Sequence, residues 1–121
     1  MSTVRHKDRE FASHVVELMQ SIGPVSARRM FGGHGFFLEG LMFALMADGT
    51  LYLKADTRTA GDFERLGLAM FTYEKKGREY SLSYYQAPEE ILESPDEMNV
   101  WANKAYGAAL RAPARKVKKR A

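Results

Sequence analysis

Between Arg28 and Asp56 the chain reads RRMFGGHGFFLEGLMFALMADGTLYLKAD, and no other stretch limits the fold so tightly. Short apolar runs alternate there with glycine-bearing pairs. Val25 to Phe31 reads as a strand that ends at Gly32-Gly33. Gly35 to Leu38, Leu41 to Ala47 and Leu51 to Ala55 read as three more. Asp48-Gly49 is the strongest turn signal, because a type I′ turn needs positive φ at both central residues. Glu39-Gly40 reads as a second tight turn. Connections this short join only antiparallel neighbours, so the segment is a meander. Leu51 and Leu53 share one face of their strand and Tyr52 and Lys54 the other, which predicts one wet face.

The flanks supply helices. Phe11, Val15, Leu18 and Ile22 form one stripe at helical spacing, predicting a helix over about Lys7 to Ser21 that Gly23-Pro24 stops. His14 is expected on or beside its solvent face, solvated or hydrogen-bonded. After the meander, Asp56 can cap a short helix with Phe63 and Leu66 turned inward and Gly67 ending it. Met70 to Glu74 and Glu79 to Gln86 form a second hairpin around Lys75-Lys76-Gly77. In its return strand Tyr80, Leu82 and Tyr84 lie on one face and Ser81, Ser83 and Tyr85 on the other. Glu89 to Leu92 reads as a helical turn. Ser94-Pro95-Asp96-Glu97 is a helix start with a capping box, leading to a last helix that ends near Arg111. Met98, Trp101, Ala105 and Ala108 or Ala109 make its apolar stripe, and its many alanines allow close approach to a sheet. The fold class read from this pattern is α+β: an antiparallel β-meander plus a hairpin, flanked by N- and C-terminal helices.

Charge is unevenly placed. Six of the 18 Lys and Arg residues, and none of the 15 Asp and Glu residues, follow Leu110, so residues 1–110 carry 12 against 15, a formal charge of −3. The sequence pI of 9.2 therefore reports the tail. A strongly basic body would suggest a nucleic-acid face, and this body is not basic overall. The chain has no cysteine, which removes bridges, thiol nucleophiles and cysteine-based zinc sites. The polar start MSTVRHKDRE is unlike a secretory signal, and no apolar run approaches membrane-spanning length. The expectation is one cytoplasmic domain over residues 1–111, followed by a disordered basic tail over 112–121.

No stretch carries recognisable chemistry. Gly32-Gly33-His34-Gly35 resembles a phosphate loop only superficially, because a strand follows it and no Lys-Ser or Lys-Thr ending is present. A turn is the better reading, leaving at most a backbone nest for an anion, helped by Arg28 and Arg29. Strand alternation puts those two arginines on opposite faces, and a structural ion pair is the bland fate of either. His6, His14 and His34 lack metal-ligand spacing. No nucleophile elbow occurs, and no catalytic carboxylate pair can be named. Tyr73, Tyr80, Tyr84 and Tyr85 with Lys75, Lys76 and Arg78 form the kind of mixture that binds single-stranded nucleic acid. Aromatics at strand alternation more often fill a core, and that is the favoured reading.

One ordered set of short motifs remains. Arg29-Met30-Phe31-Gly32-Gly33, Gly35-Phe36-Phe37, Met42-Phe43-Ala44-Leu45, Ala47-Asp48 and Leu51-Tyr52-Leu53-Lys54 are followed by Phe71-x-Tyr73, Lys76-Gly77, Ser83-Tyr84-Tyr85, Pro88 and Trp101-Ala102. Together, over about Phe11 to Arg111, this series resembles the N-terminal domain of the TfoX/Sxy competence regulators. Met70 departs from it, standing where the family pattern has proline. The resemblance implies a secretion-chaperone-like two-layer fold and a bacterial cytoplasmic regulator without catalytic residues or cofactors. Full-length members assist the cAMP receptor protein and carry a C-terminal domain similar to helix-hairpin-helix nucleic-acid binders. That domain is expected to be absent from a chain ending at Ala121.

The expected function is a non-enzymatic regulatory or protein-interaction domain. A protein partner would meet an exposed sheet edge or the wet face, with Arg28, Arg29, Tyr52 and Lys54 as candidate contacts. The alternative is a nucleic-acid-binding accessory protein acting through Arg115, Lys116, Lys118, Lys119 and Arg120. No metal, cofactor or membrane partner is expected, and a homodimer is compatible with the sequence.

Overall fold

The computed structural model describes residues 3–30 and 32–113. Its strands are β1 (Ser26–Met30), β2 (Gly33–Leu38), β3 (Leu41–Ala47), β4 (Thr50–Lys54), β5 (Met70–Lys75) and β6 (Arg78–Gln86). Among the described residues these six form one sheet in the order β1-β2-β3-β4-β6-β5. Every pairing is antiparallel, so the meander and the second hairpin are both present. The hairpin joins the meander through β6, which pairs with β4 and leaves β5 at the edge.

Three of the strand connections are two-residue turns with positive φ at both positions. Glu39-Gly40, Asp48-Gly49 and Lys76-Gly77 have φ of 53° and 79°, 51° and 74°, and 53° and 75°. This mirror-image geometry matches the right-handed twist of the flanking strands. Gly33, assigned to a turn by its sequence, belongs to β2 instead. A Cβ on Gly33 would lie 2.0 Å from the Met46 carbonyl oxygen, so the residue is small because β3 passes close by.

Helix α1 (Thr3–Met19) continues into a 3-10 turn at Gln20–Ile22, and helix α3 (Pro95–Arg111) closes the described chain. Both cover the same side of the sheet. The line of α1 that is fully buried is Ala12, Val15 and Met19, with Phe11, Leu18 and Ile22 packed at its shoulders. The apolar stripe is wider than a single row because α1 meets both the sheet and α3. His14 is exposed on its other side, with Nε2 bonded to the Leu92 carbonyl at 2.9 Å.

Helix α3 begins as its sequence predicts. The Ser94 Oγ accepts the Glu97 N–H at 3.1 Å and Pro95 takes the first helical position. The reciprocal half of the capping box is not made, since the Ser94 N–H is donated to the Ile91 carbonyl of the preceding 3-10 turn, Glu89–Glu93. Ala102, Ala105 and Ala109 then bring α3 close to β3 and β4. A bulge opposite Phe36 and Phe37 leaves Phe43 without a cross-strand partner, and Phe43 and Ala44 both enter the helix-side core.

The segment after β4 is shorter in helix than its sequence suggests. Asp56 does cap a turn, accepting the N–H groups of Arg58 and Thr59 at 3.0 and 3.2 Å. The α-helix proper, α2, is only Ala60–Glu64. Phe63 is fully buried, stacked on Tyr85 and edge-on to Trp101 at centroid distances of 5.2 and 5.1 Å. Burying one such ring contributes roughly 1.5–3 kcal/mol. Leu66, expected inward, is 53% exposed, and Leu68 packs on the core in its place. The turn at Gly67 (φ 70°) carries the chain past Leu66 before it re-enters the fold.

Candidate functional site

Strand alternation sorts the sheet into a helix-covered face and an open one. Ala27, Arg29, His34, Phe36, Met46, Leu51, Leu53 and Tyr85 follow one register across the strands and face the helices. Arg28, Met30, Phe37, Met42, Tyr52 and Tyr84 occupy the alternate register. On this open side Met30, Met42 and Phe37 converge over Gly35, where an added Cβ would meet their tips at 2.7, 2.8 and 3.1 Å. The Arg28 guanidinium lies 4.2 Å from the centroid of Phe37. The ion pair expected for one of the two arginines is not formed among the described residues, and a cation–π contact takes its place for Arg28.

The other end of the open face is a row of rings. Tyr52 meets Phe71 edge-on at 5.0 Å, Phe71 stacks on Tyr73 at 6.2 Å, and Tyr73 stacks on Tyr80 across β5–β6 at 5.6 Å. Tyr73 and Tyr80 are each 39% exposed and Leu82 beside them 38%. The core assignment of the hairpin aromatics therefore holds for Tyr84 and Tyr85 and fails for Tyr73 and Tyr80. The reason is topological: Tyr73 and Tyr80 lie on the open face, which no helix among the described residues covers. Tyr84 is buried beneath Lys54, whose Nζ lies 5.2 Å from the ring centroid and donates to Ser83 Oγ at 3.0 Å. Tyr85 points to the helix side and donates its hydroxyl to Glu64 at 2.8 Å, which raises its pKa.

Charge follows the same division. Lys75 and Arg78 pair directly across β5–β6 and share the alternation of Tyr73 and Tyr80. Glu74 and Glu79 also pair directly, on the opposite face. Among the described strand residues these two glutamates are the only acids, so no strand places a carboxylate on the open face. Like charges set opposite each other destabilise a sheet. The hairpin nevertheless keeps its cations on one face and its acids on the other.

The helix side carries a different feature. An open groove of about 790 Å³ between α1 and the β1 edge is lined by Arg9, Glu10, Ser13, Glu17, Arg29, His34 and their neighbours. His34 is buried, and its Nδ1 has no hydrogen-bond partner among the described residues. Burial and then the nearby Arg29 charge hold its pKa below the ordinary histidine value, with Asp8 opposing. Two arginines and two glutamates line this groove, so their formal charges balance. Among the described residues no group of three or more His, Cys, Asp or Glu side chains is placed to hold a metal. A third polar cluster is structural. Arg111 at the end of α3 grips Asp56 through Nε at 2.6 Å and Nη2 at 3.2 Å, and this bond above all lowers the Asp56 pKa to about 2.

Of the residues singled out by sequence, Tyr52, Lys54 and Arg28 lie on the open face and Arg29 on the covered one. Arg28 sits at the β1 end, three strands from Tyr52 and Lys54. Arg115, Lys116, Lys118, Lys119 and Arg120 lie outside the described residues. Phe71, Tyr73 and Tyr80 were missed as surface residues. Alternation pairs Tyr73 with Tyr80, but only the β4–β6 pairing sets them beside Tyr52.

The described residues thus form an open-faced antiparallel sheet backed by two helices, with rings and cations on the open face. The chain belongs to the TfoX N-terminal domain family, whose model matches residues 17–109. It is 33% identical over 87 residues to the DNA transformation protein TfoX1 of Aliivibrio fischeri, covering 69% of this chain and 42% of that one. It is 31% identical over 75 residues to Protein Sxy of Escherichia coli, covering 62% and 36%. With the DNA transformation protein TfoX of Haemophilus influenzae it shares 34% identity over 90 residues, covering 73% and 42%. The matched regions thus span about two-fifths of the length of these relatives. Among the described residues no helix is long and apolar enough to cross a membrane.

Proposed function

We propose that this protein is a non-catalytic regulatory module that works by holding a macromolecular partner against the open sheet face. The observation that carries this reading is the row Tyr52–Phe71–Tyr73–Tyr80, half-buried at Tyr52 and Phe71 and exposed at Tyr73 and Tyr80 beside Lys75 and Arg78. Solvated aromatic rings flanked by charge are the usual substance of binding hot spots. The relatives' names, DNA transformation proteins, support a regulatory setting connected with DNA transformation. Catalysis finds no support in the geometry: the perturbed groups His34 and Asp56 line separate grooves, and among the described residues no hydrogen bond joins His34 to the Ser13 hydroxyl that shares its groove.

Site-specific photo-cross-linking in the native bacterium tests the reading. A cross-linker at Tyr80 should trap a macromolecule, protein or nucleic acid. The same group at Val100, exposed on α3, should not. Equal trapping at both positions would remove the open face from the function. The run of basic residues after Pro113 supports a second reading, in which the tail contacts phosphate without sequence preference. Replacing its five Lys and Arg residues with serine should then abolish nucleic-acid binding even with the open face intact.

A further inference from the structure

The open face can be assigned an occupant, and this step rests on the contact-module reading above. We infer that the β4–β6–β5 end of the sheet binds single-stranded nucleic acid. Bases would stack on Tyr52, Phe71, Tyr73 and Tyr80, and phosphates would meet Lys75 and Arg78.

Three observations converge on that chemistry. The first is the row itself. Four rings run in unbroken contact, with centroid steps of 5.0, 6.2 and 5.6 Å, from the central strand β4 to the tip side of the hairpin. Every base has a π-face, so such a row accepts successive unpaired bases without reading their identity. Duplex bases are already stacked and cannot use it. The second is the segregation of charge. Lys75 faces Arg78 directly, Glu74 faces Glu79 directly, and none of the four has an ion-pair partner among the described residues. Exchanging one residue of each sign would turn two repulsive pairs into two attractive ones. The arrangement kept instead leaves the ring-bearing face without an acid among the described strand residues, and a polyanion relieves the Lys75–Arg78 repulsion. The third is that a second copy of the chain is the wrong occupant. Face-to-face association about a two-fold axis at the Lys75–Arg78 pair would set these cations against their own counterparts.

The test uses the full chain and a fluorescently labelled oligothymidylate on the order of 10 nucleotides long, a length suited to one small binding sheet. An oligouridylate and a duplex of equal length serve as the comparison arms. Anisotropy titrations should show binding to both single strands and weaker binding to the duplex. Tyr73→Ala combined with Tyr80→Ala should weaken single-strand binding about tenfold or more, the range expected for losing stacked bases. Lys75→Gln combined with Arg78→Gln keeps the rings and should lower the slope of log affinity against log salt by about one to two. Trp101, packed on Phe63 on the helix side, reports through its fluorescence that each variant is folded. Binding unchanged by both pairs of substitutions would overturn the inference. So would binding lost only when the tail cations are replaced. If no single strand binds at low salt while Tyr80 cross-links a protein in cells, this inference fails and the contact-module reading stands. If Tyr80 traps nothing, both fall.

Discussion

At the scale of single residues, small side chains and one buried imidazole set the tolerances. Gly33 and Gly35 sit two apart in the same strand, yet they answer to different neighbours. An added methyl at Gly33 meets backbone, the Met46 carbonyl, which cannot move without unpairing β2 from β3. At Gly35 it meets the flexible ends of Met30 and Met42. Gly35→Ala should cost about 1–3 kcal/mol, the usual range for overpacking, and Gly33→Ala more than that, both measured by urea unfolding. His34 sets a pH limit. Its pKa in the fold lies below the ordinary value of 6.5, so on acidification the unfolded chain takes up the proton first. The His34 contribution to stability should be fully present well above pH 6.5 and be lost as pH drops through that value towards the depressed folded one. Thermal melts across that window should show the fall in the native chain and a flatter profile in His34→Gln. A native melting temperature that does not decrease on acidification through this window would show that the imidazole is not held neutral.

At the scale of elements, α2 has five residues and could not persist alone. Phe63 holds it, wedged between Tyr85 of the hairpin and Trp101 of α3. Phe63→Ala should therefore cost about 3–5 kcal/mol and should loosen the root of the β5–β6 hairpin as well as α2, visible as faster amide exchange at Gln86 and Leu68. The meander was legible almost residue by residue, because dipeptides such as Asp48-Gly49 permit few alternatives and Leu51 and Leu53 alternate cleanly. Helix α3 was equally clear from Ser94-Pro95. What could not be read was how the second hairpin joins the meander. Local pattern determines that β5 and β6 pair with each other, but the choice of β6 as the partner of β4 depends on Tyr85 reaching Phe63, a contact between distant segments. For the same reason the exposure of Tyr73 and Tyr80 was hidden. Period-two alternation describes a strand that is covered on one side and a strand at an uncovered sheet end alike, and Leu66 was misplaced because a helix-period count does not register the Gly67 turn.

For the whole molecule, an average concealed the feature that matters. A formal charge of −3 over residues 1–110 argued against a cationic surface, yet the hairpin's charges are separated by face and not mixed. That separation trades stability against binding. Lys75→Glu would place a carboxylate opposite Arg78 and should raise stability by a few tenths of a kcal/mol, up to about 1, while weakening any polyanion held on that face. A chemical denaturation curve and a binding titration on one preparation would show whether the two changes run in opposite directions. The three mirror-image turns carry a related consequence. Each connection is two residues long, and strand side chains alternate strictly. Inserting a single residue within β6 or β4 would rotate everything beyond it by half a turn, sending tyrosines inward and glutamates outward. The surface chemistry of this protein is therefore open to change by substitution but closed to change by length, and variants with altered recognition should be sought among chains whose strands and hairpins keep their residue counts.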